Sequence, residues 1–125
     1  MAALAEALKV PALAHYKPWI DNLRMEKPYQ LDAKLEQLFL EKSQTGAGAF
    51  NRLFDETMAA LTFEVNGETL RLEPTLNLMQ SPDEAKRRAG AEALAKTFSA
   101  NVKLFTLITN TLAKDKQIED GWRKF

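Results

Sequence analysis

Apolar residues recur every three or four positions along most of this chain, the spacing that gathers them on one side of an α-helix. Residues 2–10 are strong helix formers halted by Pro11, which biases Val10 toward extended backbone. A second helix is expected from Pro11, where a missing N–H costs little, to about residue 25. Leu13, Tyr16, Ile20 and Leu23 keep phase across Pro18, so the pattern predicts one kinked helix rather than a stop. MEKPYQ is the turn after it. Leu31, Leu35, Leu38 and Phe39 then oppose Asp32, Lys34, Glu36 and Glu41, an amphipathic helix to about residue 43. SQTGAGAF reads as a short loop, and Phe50, Leu53, Phe54, Met58 and Leu61 mark the next helix.

One stretch changes rhythm. In LTFEVNGETLRLEP, residues 61–74, the period drops to two and Asn66-Gly67 supplies the pair that a type I′ turn wants at positive φ. That register sets Leu61 opposite Leu72, Phe63 opposite Leu70 and Val65 opposite Glu68, and leaves Thr62, Glu64, Thr69 and Arg71 on the wet face. A lone two-stranded ribbon is marginal in water, so the apolar face must rest on helices.

After Pro74, TLNLMQ predicts one or two helical turns. SPDE then reads as a start signal, with Ser81 as cap, Pro82 at the first helical position and Glu84 three residues after the cap. The helix it opens is expected to run unbroken to about Lys114 or beyond, with Asp83 and Glu84 at its positive end and Lys114 and Lys116 near its negative end. Ala91, Leu94, Phe98, Val102, Phe105, Thr109 and Leu112 form the predicted core stripe. Leu104 and Leu107 fall outside it, and Leu107 lies almost opposite Phe98, so this helix needs a second apolar neighbour. The tail EDGWRKF carries Trp122 and Phe125, two large aromatics whose packing partner is expected in sequence that follows.

The fold class expected is therefore all-α, a multi-helix bundle-like lobe with one short β-hairpin at about residues 61–72. A length of 125 residues suits one helical domain with its own core. Seventeen basic and seventeen acidic residues cancel and are interspersed. No field attracts a polyanion or an anionic membrane, which argues against both as partners. The absence of cysteine excludes disulfides and thiolate metal sites and fits a reducing compartment, so a cytoplasmic location is expected. The apolar N-terminus has no basic leader and carries Glu6 and Lys9, which argues against a signal peptide. No stretch approaches the ~18 uncharged apolar residues of a membrane span.

Candidate chemistry is sparse. His15 is the only histidine, which excludes any zinc site built within the chain from two His ligands, H-E-x-x-H included. Beside Tyr16 and Trp19 it reads as a surface or satisfied structural residue. Asp55-Glu56, Asp83-Glu84 and Glu119-Asp120 are adjacent carboxylates, but neighbours on a helix point ~100° apart and cannot share a reacting atom. TGAGAF opens a helix with G-x-G, yet no strand precedes it, no third glycine follows, and no Lys-Ser or Lys-Thr completes a phosphate loop. Lys86, Arg87 and Arg88 are balanced by Glu84 and Glu92 and read as a solvated turn. Gly90, inside a run of alanines, points to a close helix crossing.

PYQLDAKLEQLFLEKSQTGAGAFNRLFDET, LTFEVNGETLRLEPTLNLMQSPDEAKRRAGAEALAKTF and NVKLFTLITNTLAKDKQIEDGWRKF together resemble the N-terminal domain of oligoendopeptidase F, a bacterial branch of the thimet-oligopeptidase-like zinc metallopeptidases. The resemblance runs from about Pro28 to Phe125; residues 1–27 share only its general character. Its most specific parts are the leucine-spaced helix followed by EKS, the FNRLFDE helix, the hairpin leading to SPDE, and ITNTLAKDK followed by Trp122-Arg123. The resemblance implies a cytoplasmic peptidase acting on short peptides, with zinc held by two histidines and a glutamate and water activated by the Glu of H-E-x-x-H. No position of this chain matches those motifs, so no catalytic, cofactor-binding or metal residue is assigned to it.

The expectation is then a fragment: a non-catalytic lobe that walls a substrate channel. Its partners are the C-terminal catalytic domain of the same polypeptide and an oligopeptide, with self-association open to the isolated piece. In that setting the hairpin is a structural clip over helix ends, with a direct substrate-binding strand as the alternative. The rival to the whole reading is a freestanding helical interaction module docking through Leu104, Leu107, Trp122 and Phe125.

Overall fold

The computed structural model describes residues 2–125, and among them eight α-helices, one 3-10 turn and one two-stranded sheet follow each other along the chain. They are α1 (Ala2–Ala7), α2 (Pro11–Ala14), α3 (Lys17–Met25), a 3-10 turn at Lys27–Tyr29, α4 (Ala33–Ser43), α5 (Ala47–Ala60), β1 (Phe63–Val65), β2 (Glu68–Leu70), α6 (Leu72–Leu78), α7 (Glu84–Ala100) and α8 (Val102–Arg123). None of the helices among the described residues is long and apolar enough to cross a membrane.

The hairpin is the hub of the core. Asn66 at φ 51° and Gly67 at φ 88° make the tight turn, and the strands pair Phe63 with Leu70, Glu64 with Thr69 and Val65 with Glu68, as the alternation predicts. Phe63 is fully buried and Val65 nearly so, both packed with Ala93 of α7. Leu61, Leu70, Leu72, Leu78, Leu94 and Phe98 close round them. The wet face is tied down as well: the Arg71 guanidinium donates to the carbonyls of Ala59 and Ala60, each at 3.1 Å, and so satisfies the open C-terminal end of α5. The Thr97 hydroxyl donates to the Thr62 carbonyl at 3.3 Å, joining the residue before β1 to α7.

Gly90 answers to its surroundings. It is buried where α6 crosses α7, and a Cβ placed there would lie 3.0 Å from Leu78 Cβ and 3.3 Å from the Thr75 carbonyl oxygen. Thr75 is fully buried, its hydroxyl donating to the Arg71 carbonyl at 2.8 Å.

The long helix expected after SPDE is two helices. Asn101, at φ −105° and ψ 6°, separates α7 from α8, and its side-chain amide donates to the Thr97 carbonyl at 2.9 Å. Its own carbonyl accepts from Leu104 and Phe105, starting α8 afresh. An asparagine that bonds a preceding carbonyl competes with the helical ladder, and here it wins. The break shifts the phase. Val102, placed in the core by a continuous pattern, is exposed, and Thr109 is exposed too, while Ile108 is buried. Phe98 and Phe105, also expected in the core, are half-buried, Phe98 packed against the buried cluster. Four phenylalanine rings run across the bend: Phe63 to Phe98 at 5.6 Å, Phe98 to Phe105 at 6.2 Å and Phe105 to Phe54 at 6.0 Å, each tilted edge to face. Through the last of these α5 and α8 pack antiparallel, Phe54 beside Phe105 and Gly46 beside Asp115.

Other boundaries move by a few residues for local reasons. Asp83, not Ser81, caps α7: its carboxylate accepts from Ala85 N–H at 2.9 Å, and the Ser81 hydroxyl accepts from Asp83 N–H one step earlier. Pro82 thus precedes the helix, and Pro74 sits in the first turn of α6, which begins before it. The kinked helix expected over 11–25 divides at His15 and Tyr16, since Pro18 brings no N–H to the ladder and instead occupies the first turn of α3. α1 ends at Ala7, short of residue 10. α5 begins inside the expected loop, at Ala47; Gly48 lies where a Cβ would come within 2.8 Å of the Ser43 carbonyl oxygen.

Candidate interaction site around Glu36 and Arg123

The most constrained polar cluster joins residues 87 positions apart in sequence. Asp32 caps α4 by accepting from Lys34 and Leu35 N–H, which fixes the start of that helix and turns Glu36 toward the end of α8. There Arg123 meets it as a two-pronged fork, Nη1 to Oε1 at 2.6 Å and Nη2 to Oε2 at 2.9 Å. Arg123 Nε donates to Glu119 at 2.8 Å and Nη1 also to the Tyr29 carbonyl at 3.3 Å. Leu31 N–H completes the carboxylate of Glu36 at 2.9 Å. The guanidinium lies 5.7 Å above the Phe39 ring.

These bonds hold the Glu36 carboxyl at a pKa of about 2, lowered first by the hydrogen bond from Arg123 and next by that from Leu31. Hydrogen bonds to Glu36 and Glu119 push Arg123 further up. A carboxylate so held neither gives nor takes a proton near neutrality, and Arg123 has none to release. The cluster is a clamp that fastens α4 and the 3-10 turn to the end of α8.

An open cleft of about 680 Å³ lies beside the clamp, with Tyr29, Gln30, Lys116, Asp120 and Phe125 along it. The Tyr29 and Phe125 rings sit 4.8 Å apart and Lys116 stands 5.3 Å from the Phe125 ring, so Phe125 has neighbours in this chain although most of its surface remains open. A second cleft, of about 380 Å³, opens on the other side of Glu36 and Arg123 toward Ser43, Gly46 and Ile118. Neither contains a nucleophile activated by a base.

The residues singled out in the sequence are scattered. His15 is exposed and stacks on Tyr16 at 3.8 Å. Asp55 and Glu56 are exposed, with Arg52 3.7 Å from Glu56. Asp83 is a cap and Glu84 pairs with Arg88 at 3.0 Å. Glu119 turns to Arg123 while Asp120 bonds Lys116, so these neighbours face different partners. Arg87 donates to the Ser81 and Pro82 carbonyls at 2.8 and 2.9 Å, stapling the entry to α7 rather than presenting charge to a ligand. Among the described residues no three His, Cys, Asp or Glu side chains come together as a metal site. With one histidine and no cysteine, the donor set does not fit zinc.

The clamp is not legible in the sequence, where Glu36 falls on the solvent face of its helix and Arg123 follows Trp122 in the tail. The available signal was an Arg in the last turn of a helix with a glutamate one turn before it, which foretells the Glu119 pair but not Glu36.

The family model for the N-terminal domain of oligopeptidase F matches residues 1–63. This chain belongs to the oligopeptidase F family. The family is that of the M3 zinc metallopeptidases. The match covers α1 to α5 and reaches the first residue of β1, so it includes residues 1–27, where the sequence resemblance was only general. The rest of the hairpin and α6 to α8 lie beyond it. No curated protein and no solved structure matched in the corresponding comparisons. Glu36, one half of the clamp, thus falls inside the oligopeptidase F match, and Arg123 outside it.

Proposed function

We propose that this chain is the non-catalytic N-terminal helical lobe of a cytoplasmic zinc oligopeptidase, walling the channel through which short peptides reach a catalytic domain elsewhere in the same polypeptide. One observation carries the reading: the oligopeptidase F match over residues 1–63. Channel walls select by size, since an extended peptide passes where a folded protein cannot, and this needs rigidity rather than reactive side chains. The Arg123 clamp, the Arg71 cap on α5 and the close crossing at Gly90 supply that rigidity. On this reading the hairpin is a clip, in keeping with its contacts to α5, α6 and α7.

The test compares three preparations on quenched fluorescent peptides of graded length: this chain with zinc, the catalytic portion alone, and the two joined. The chain alone is expected to give no turnover, and the joined protein to prefer short peptides over unfolded proteins. The catalytic portion alone is expected to lose that preference. Unchanged length selectivity without the lobe, or a reading frame with no H-E-x-x-H, refutes the proposal.

A second reading, a helical interaction module independent of any peptidase, draws on the exposure of Leu107, Trp122 and Phe125. The reading frame separates the two.

A further inference from the structure

Helix α8 is apolar on two sides. One side enters the protein, where Phe105 meets Phe54 and Ile108 is 3% exposed. The other carries Leu104, Leu107, Thr111, Lys114, Ile118 and Trp122 at intervals of three, four, three, four and four. At about 100° per residue these six fall within an arc of roughly 80°. Leu107, Ile118 and Trp122 are 56%, 47% and 57% exposed. The stripe is about 27 Å long by helical rise; Leu104 and Thr111 are half-buried, and Leu107, Lys114, Ile118 and Trp122 are exposed.

The spacing selects the shape of its occupant. The intervals average 3.6 residues, so the stripe runs straight along one side of α8, a line that a second helix can follow. Along the axis this spacing sets successive side chains about 5 Å apart, whereas one face of an extended strand repeats at about 6.8 Å. Over five intervals a strand drifts out of step by more than one residue; a helix stays in register.

Charge selects the occupant's chemistry. Lys114 and Lys124 border the recess around Ile118 and Trp122, and Lys103 lies beside Leu104 and Leu107 at the same edge of the arc. The carboxylates of α8 turn elsewhere: Asp115 toward Gly46, Glu119 to Arg123 and Asp120 to Lys116. Two copies of α8 laid antiparallel would set lysine edges against each other, which disfavours a second copy in that arrangement.

We propose that the Leu104–Trp122 stripe of α8 is the docking seam for an amphipathic helix whose apolar stripe is bordered by acidic residues. This goes beyond the role of the chain in a peptidase and does not depend on it.

The test uses the whole chain and two synthetic helical peptides with Leu at the first and fourth place of each heptad. One carries Glu on both borders, the other Lys; like-charge repulsion keeps each monomeric. Binding is read by tryptophan fluorescence, with Trp122 as reporter, and by calorimetry. The Glu peptide is expected to bind at least about tenfold tighter than the Lys peptide at low salt, with the ratio shrinking as ionic strength rises. Leu107→Glu with Ile118→Glu is expected to abolish binding. Lys103→Glu with Lys114→Glu, at exposed positions that leave folding intact, is expected to reverse the preference between peptides. Equal binding of both peptides, binding of neither, or saturation of the stripe by self-association of the chain overturns the proposal.

Discussion

Gly90→Ala tests whether α6 is clamped to α7 or merely rests on it. Two effects of known sign compete. In a helix interior, Ala is favoured over Gly by about 1 kcal/mol. Against this, the new methyl meets Leu78 Cβ at 3.0 Å and the Thr75 carbonyl oxygen at 3.3 Å, atoms fixed to the backbone of α6 rather than the ends of flexible side chains. Relief requires α6 to move, and Thr75, fully buried and bonded to Arg71, resists it. Overpacking of this kind costs about 1–3 kcal/mol, so the net expectation is a loss of about 1 kcal/mol. Gly121→Ala is the control: it adds the same methyl to a helix where, beyond the chain neighbours and the helix's own backbone, no atom lies within 4 Å, and is expected to be neutral or stabilising by up to about 1 kcal/mol. Urea unfolding followed by circular dichroism gives both values, and their difference isolates the crossing from helix propensity. If Gly90→Ala stabilises the protein as much as Gly121→Ala, the crossing is loose and the reasoning fails.

Three further outcomes follow from the same contacts. Phe63→Ala, at a site with no exposed surface, is expected to cost about 3–5 kcal/mol, a large share of the stability of a domain this size; an unfolding midpoint near that of wild type would show the hairpin peripheral to the core. Asp83→Ala is expected to destabilise by about 1 kcal/mol through loss of the cap, and Ser81→Ala by clearly less, since Ser81 holds only the amide of Asp83; the reverse order would restore Ser81 as the cap. The Glu36–Arg123 clamp has a pH signature. Its carboxyl is lowered from 4.5 to about 2, so it strengthens the fold at every pH above about 4.5 and loses that contribution as pH falls toward 2. Glu36→Gln should therefore lie below wild type in thermal midpoint from pH 5 to 8 and converge with it near pH 2; a gap that persists in acid would mean the carboxylate is not held by Arg123.

What the sequence made legible was local. The hairpin was readable because Asn66-Gly67 fixes turn, register and face at once, with every partner within ten positions. Gly90 was readable because a glycine amid alanines has no propensity reason to be there. The break at Asn101 was not, since hydrophobic spacing carries straight through it and the deciding bond is from one amide to one carbonyl. The displaced cap has a similar cause: SPDE offers two capping side chains in series, and the backbone of Asp83, extended at ψ 117°, settled which of them starts α7. The clamp was least legible of all. Periodicity says which side of a helix is wet, but not that a wet glutamate and a distant arginine will find each other once α4 and α8 are brought together.

The row of phenylalanine rings that crosses the Asn101 bend also determines how this protein comes apart. A chain severed at Asn101 would leave Phe98 and Phe105 each facing water on the side where the other had been, so neither piece keeps a closed interior of its own. Heat is therefore expected to dissolve the hairpin half and the α5–α8 half in one step, giving a single calorimetric endotherm from a molecule whose backbone looks jointed.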